Sequence, residues 1–231
     1  MIDKYLSAAY KQSALIGKYN ADPKYKSFRH GYCLALSILW IRRHKWFKSE
    51  GAAKRMAALS TNRCIQDALE MQLVLEQRNT QAVNRAQMAH EMWNEFSPLP
   101  DKAKMAASVS SIGDAAALTE ITVVGEERTR NIDIGTDSDN AFSFLTEINS
   151  QVNRTHQYFL LLHRNDVVGG HATCGYKSGG KWGFGSHLYF FDSNLGEYRV
   201  PASEIKPFFR GYFNKLTHKP SLYCIVPVAA N

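Results

Sequence analysis

The hydrophobic pattern of the chain changes character part-way along. Through residue 96 there is no apolar–polar alternation of period two, and Ala, Leu, Met, Gln and Glu dominate. Such stretches predict helices: one near Asp3 to Tyr19, one from Tyr32 to about Lys48, and one or two more through Lys54 to Phe96. In the last region Ile65, Leu69, Leu73, Leu75 and Val83 recur at near-helical spacing, with Thr61 and Asn62 as caps at a break. Pro98 and Pro100 end the helical stretch, because each lacks a backbone donor and biases its predecessor out of the helical region.

From Lys102 to Asn140 the pattern is weak: Ala- and Ser-rich, with one strand at Glu120 to Val124, then a polar run. After Asn140 it sharpens into a short helix through Phe142 to Val152. Strands follow at Tyr158 to His163, Val167 to Tyr176, His187 to Phe191 and Glu197 to Val200. They are β-branched or aromatic and separated by turn residues, Ser178-Gly179-Gly180 and Ser193-Asn194 among them, which predicts an antiparallel sheet. Pro201 opens a helix to about Leu216, and Ser221 to Val228 reads as a closing strand. The pattern predicts an α+β fold in a single domain, residues 1–231. A mainly helical N-terminal lobe, to about residue 115, packs on an antiparallel β-sheet lobe from about residue 116.

Composition narrows the class. With 231 residues and 45% hydrophobic content, the chain can bury one substantial core. No apolar run approaches the roughly 20 residues that span a bilayer. The N-terminal MIDKYLSAAYKQSALIGKYN lacks the features of a secretory signal, so a soluble protein is expected. The four cysteines, Cys33, Cys64, Cys174 and Cys224, are scattered without CxxC spacing, which suggests neither a disulfide framework nor a zinc site and fits a reducing compartment. The formal charge of +7 raises encounter rates with anionic membranes, acidic proteins or nucleic acid without choosing among them. The basic clusters IRRHKWFK and FFRGYFNKLTHK read first as solvated helix faces, and peripheral contact with an anionic membrane stays open. Nucleic acid is not an expected partner, since no zinc-finger, RNP or helix-turn-helix signature is present. The oligomeric state is not encoded legibly.

The chemistry concentrates on Cys33, in SFRHGYCLALSILWIRRHKW. Leu34, Leu36, Ile38, Leu39 and Ile41 follow it, so Gly31 and Tyr32 mark a turn and the thiol begins a buried helix. There the macrodipole and unpaired N–H groups favour thiolate. Gly31 lets backbone approach a substrate closely, and the Cys33 N–H is placed to donate to an acyl oxyanion. His171, in VVGGHATCGY, lies on a strand whose alternation points Ala172 and Cys174 to one face and His171 and Thr173 to the other. That geometry also excludes His171 and Cys174 as a metal pair. Asp192 ends the aromatic run Tyr189-Phe190-Phe191 at a turn, placed to accept from the imidazole, with Asn194 as the rival for that role. A thiol on a helix followed downstream by a histidine and an acid on strands is a cysteine-nucleophile layout. For each residue the plain structural alternative is a core cysteine, an edge histidine and an ordinary turn aspartate.

GYCLALSILW, with Gly two before the cysteine and Trp seven after it, together with GGHA and FFDSNLGEYRV, resembles the YopT and AvrPphB family of papain-like bacterial effector cysteine proteases. The resemblance spans roughly Phe28 to Trp46 and Tyr158 to Val228. It implies a papain-like catalytic domain and a thiol protease with Cys33 as nucleophile, His171 as base and Asp192 as orienting acid. No cofactor or metal is implied. The implied partner is a host protein substrate, such as a Rho-type GTPase or a kinase, met after secretion by a bacterium into a host cytosol, with action at a membrane surface left open. Two departures stand out. The position six before Cys33, where papain-like enzymes carry an oxyanion-hole glutamine, is Ser27; Ser27 and His30 are candidates for the side-chain donor, which stays open. Ser193 stands where family members commonly carry proline. The same thioester chemistry also serves acyl transfer, transglutamination or glutamine deamidation, and a non-catalytic basic adaptor or nucleic-acid-binding module is the remaining alternative.

Overall fold

The computed structural model describes residues 2–17, 19, 23, 31–94, 97–124, 128–131, 158–165, 169–179, 186–217 and 220–231. The apolar run after Cys33 forms helix α2 (Cys33–Trp46), inward-facing on most sides, with Ala35, Leu36, Ile38, Trp40 and Ile41 fully buried. Helix α3 (Ala52–Leu59) and the long α4 (Asn62–Asn94) meet at the expected break, where Thr61 Oγ1 accepts the N–H of Cys64 (3.3 Å) and caps α4. Pro100 both ends the preceding stretch and starts α5 (Asp101–Asp114), where its missing N–H costs nothing. That helix, and the short α6 (Ala116–Thr119), occupy the region where the sequence pattern is weakest.

The segment Asp3 to Tyr19 departs from expectation. In place of one helix it forms a 3-10 turn (Ile2–Tyr5), a strand β1 (Leu6–Ala9) and a one-turn helix α1 (Gln12–Ile16). The reason is tertiary: β1 pairs antiparallel with β7 (Gly196–Pro201) at the sheet edge, while Ile2 and Tyr5 are buried beneath it. Propensity yields to a sheet edge that needs covering.

The other strands are β2 (Ile121–Val123), β3 (Arg128–Asn131), β4 (Tyr158–Asn165), β5 (Gly169–Lys177), β6 (His187–Asp192) and β8 (Leu222–Ala230). Their order is β1-β7-β6-β5-β4-β8-β2, with β3 also on β8, and every pairing is antiparallel. One face packs Leu160, Leu162, Ala172, Cys174, Phe191, Cys224 and Val226 against α2, α4 and α5. The alternate residues, Phe159, Leu161, Leu188, Phe190, Tyr198 and Ile225, form a second core with Phe208, Phe209 and Tyr212 of helix α7 (Ile205–Lys215). Covered on both faces, β8 reads as an unbroken apolar run. The helix expected over Phe142 to Val152 lies outside the described residues, and among those described no helix is long and apolar enough to cross a membrane.

Candidate active site

The β5–β6 ladder stops at Cys174↔Phe191, so beyond it the two strands diverge and leave one edge of β5 unpaired. The N-terminus of α2 enters this opening. The Ala172 N–H, with no strand to bond, donates to Cys33 Sγ at 3.3 Å. Ser37 Oγ, one turn along α2, donates to the Ala172 carbonyl at 3.2 Å, and Cys174 Sγ donates to the Ser37 carbonyl at 3.3 Å. Helix and strand are thereby stitched at three points, which fixes the sulfur against the strand that carries His171.

The structure brings the three sequence-predicted residues together. His171 Nε2 lies 3.1 Å from Asp192 Oδ1, and the imidazole and the Cys33 thiol are close enough for each to shift the other's protonation. Since the carboxylate only accepts, Nε2 carries the proton of that bond, which leaves Nδ1 for the sulfur. Asp192 is fully buried yet held ionised: burial opposes the charge, but the His171 charge and hydrogen bond, the Asn194 N–H (2.7 Å) and the Tyr212 hydroxyl (2.7 Å) outweigh it and take its pKa down to about 2. Burial likewise opposes the Cys33 thiolate, but His171 and the Ala172 N–H win and hold the thiol below its ordinary value. His171 is pushed well above its own, because the Asp192 and Cys33 charges outweigh burial. The group therefore favours a thiolate–imidazolium pair beside a fixed carboxylate. Two other thiols differ: burial raises Cys174 well above the ordinary range and Cys64 to about 11.

A groove of about 280 Å³ opens beside this group. Leu75, Met105, Ile112 and Leu162 form apolar walls, and Glu76, Asp101, Lys104 and Arg164 supply charge. Among the described residues no cluster of three His, Cys, Asp or Glu could hold a metal.

Several supporting residues escape the sequence pattern. Tyr212 reaches Asp192 from α7; its only trace in the sequence is a polar-tipped aromatic in step with Phe208 and Phe209. His163 is paired with His171 across β4 and β5, with rings 5.0 Å apart, and burial with the His171 charge lowers its pKa to about 3, so it stays neutral. Asn194, the rival third residue, instead supports Asp192 through its N–H and accepts from Gln12 Nε2 (2.9 Å). Gly31 also has a different reason: φ is +99°, and an added Cβ would meet the Gln12 amide at 3.0 Å. Ser27 and His30 lie outside the described residues.

A thiol on a helix N-terminus, docked on an antiparallel sheet that carries a histidine and a buried acid, defines the papain-like α+β fold. A solved structure titled as the Pseudomonas avirulence protein AvrPphB is similar over the whole molecule: TM-score 0.66, 20% identity, covering 99% of this chain and 100% of that one. The chain belongs to the C58 peptidase family, described as Yersinia/Haemophilus virulence surface antigen, whose model matches residues 6–225. It is therefore a papain-like cysteine peptidase of a bacterial virulence-effector family, and its substrate is a protein. A ubiquitin-specific protease encoded by the murine cytomegalovirus tegument protein M48 matches more distantly, at TM-score 0.42 and 10% identity over 96% of this chain and 84% of that one. A search of curated proteins gives no match.

Proposed function

We propose that the protein hydrolyses a peptide bond in a host signalling protein, such as a Rho-type GTPase or a kinase, after delivery into a host cell, using Cys33, His171 and Asp192. The observation that carries the reading is the line of contacts from Asp192 through His171 to a sulfur held by the Ala172 N–H. The Cys33 thiolate attacks the carbonyl carbon, and the tetrahedral adduct collapses as His171 Nδ1–H gives its proton to the departing amine. The product is an acyl-thioester and a new N-terminus. Water then attacks the thioester while His171 takes its proton; the C–S bond breaks and the thiolate–imidazolium pair is restored. Asp192 keeps the imidazole in the tautomer that points Nδ1 at sulfur and steadies its charge.

Incubation of the protein with host-cell lysate should generate new protein N-termini that a Cys33→Ser variant does not produce, read by terminal-peptide mass spectrometry. Cys33-dependent deamidated glutamines or cross-linked chains without new termini would replace hydrolysis by acyl-transfer chemistry. No Cys33-dependent product would return the protein to the adaptor reading.

A further inference from the structure

We propose that Gln12 is the side-chain donor of the oxyanion hole, acting beside the N–H of Cys33. This rests on the reading of Cys33 as nucleophile. When sulfur adds to the carbonyl carbon, the π pair moves to oxygen, and that anion comes to lie against the helix N-terminus. Of the first α2 amides, the Tyr32 N–H is taken by Gln12 Oε1 (3.2 Å) and the Ala35 N–H by Gln72 Oε1 (3.1 Å). The N–H groups of Cys33 and Leu34 have no partner among the described residues. A second donor for the anion has to flank the Cys33 N–H on the Tyr32 side.

The Gln12 amide stands in that position. It lies flat against Gly31, so that a Cβ there would be 3.0 Å from Nε2 and 3.1 Å from Oε1. Its orientation is set from both ends: Oε1 must face the Tyr32 N–H, which turns Nε2 towards Asn194 Oδ1 (2.9 Å). The main chain is pinned as well, since the Gln12 N–H donates to the Ser193 carbonyl at 2.8 Å. Nε2 carries two protons, and the bond to Asn194 uses one. The second has no acceptor among the described residues, on a side chain only 5% exposed. A rigid, desolvated donor of this kind needs no reorganisation when charge develops. The donor thus comes from the N-terminal segment that β1 delivers over the sheet edge, rather than from the residues just before the cysteine.

Two probes separate this role from mere positioning of the thiol. A peptide aldehyde, leupeptin, forms a hemithioacetal whose oxygen occupies the oxyanion site, whereas alkylation by iodoacetamide develops no charge on an acyl oxygen. Gln12→Ala should weaken leupeptin by about 10²–10³-fold, the range for loss of one oxyanion donor, while the rate of Cys33 alkylation stays within about threefold. Gln12→Glu, which keeps the acceptor for Tyr32 and the shape but lacks the donor, should weaken leupeptin at least as far and serves if the alanine variant fails to fold. Unchanged leupeptin affinity, or alkylation falling in step with it, overturns the assignment. Wild-type protein that reacts with neither probe overturns the nucleophile reading itself.

Discussion

A thiol in the middle of a protein is ordinarily a poor nucleophile, since burial favours its neutral form. Cys33 differs from buried Cys174 through two neighbours, an imidazole held charged by Asp192 and a backbone N–H freed by a missing strand pairing. Because Cys33 is held low and His171 high, the thiolate–imidazolium pair spans the pH range between them. It is lost on the acid side as sulfur protonates, and on the alkaline side as His171 gives up its proton. His171→Ala should therefore move the acid limb of Cys33 alkylation up towards the ordinary thiol range, about 8–9, and slow alkylation at neutral pH. Rates measured by intact mass across pH check this; an unmoved limb would show that the imidazole does not set the thiolate. Cys33, His171 and Asp192 were legible because GYC before an apolar helix, GGH on a strand and FFD at a turn are local patterns. Gln12, Tyr212 and the Ala172 N–H were not, since each acts through a contact that joins distant parts of the chain.

At the level of elements, the geometry depends on how α2 sits across the sheet. Trp40, the tryptophan seven after the cysteine, stacks on Phe191 of β6 with the rings 6.0 Å apart and nearly parallel. Its indole N–H donates to Glu197 Oε2 at 2.7 Å, and Arg55 of α3 grips the same carboxylate through Nε (2.8 Å) and Nη2 (3.0 Å). All three side chains are buried, so one carboxylate on β7 ties α2 and α3 to the sheet. Removing it leaves a buried guanidinium without its partner. Glu197→Ala should accordingly destabilise the fold by about 3–5 kcal/mol, measured by urea unfolding. A loss below about 1 kcal/mol, the usual worth of an exposed pair, would show that the cluster does not hold the layers together. Outside residues 102–157, the helix and strand assignments from Tyr32 onward were readable because amphipathic and alternating patterns mark faces. The N-terminal segment was not, because β1 is a strand only by virtue of the β7 edge beside it.

Across the whole molecule, burial of two neutral histidines links the fold to pH. His44 stacks on Trp40, with Nδ1 3.0 Å from the Tyr158 hydroxyl, and burial takes its pKa to about 3; His163, on the opposite face of the sheet, is likewise lowered to about 3. The unfolded chain binds these protons near pH 6.5 and the native state does not, so stability is full above that value. It falls as pH drops towards the folded values, below which both states are protonated. Between pH 5 and 4 the two together should cost about 2–3 kcal/mol per pH unit, and the urea midpoint should fall accordingly. His171 adds no slope there, since both states hold its proton, and a midpoint flat from pH 7 to 4 would contradict the neutral burial. The sequence by itself determined the α+β class, the helix that begins at Cys33, the strands that carry His171 and Asp192, and through them the candidate group that the fold brings together. These rest on periodicity and on residue types within a few positions of one another. Only the tertiary structure decided that the N-terminus completes the sheet, that β5 and β6 part to admit the thiol, and that Gln12 and Tyr212 close around the site. Each of these is a pairing between segments far apart in the chain, and such pairings are selected by the burial and hydrogen bonds of the assembled layers, which no local pattern records.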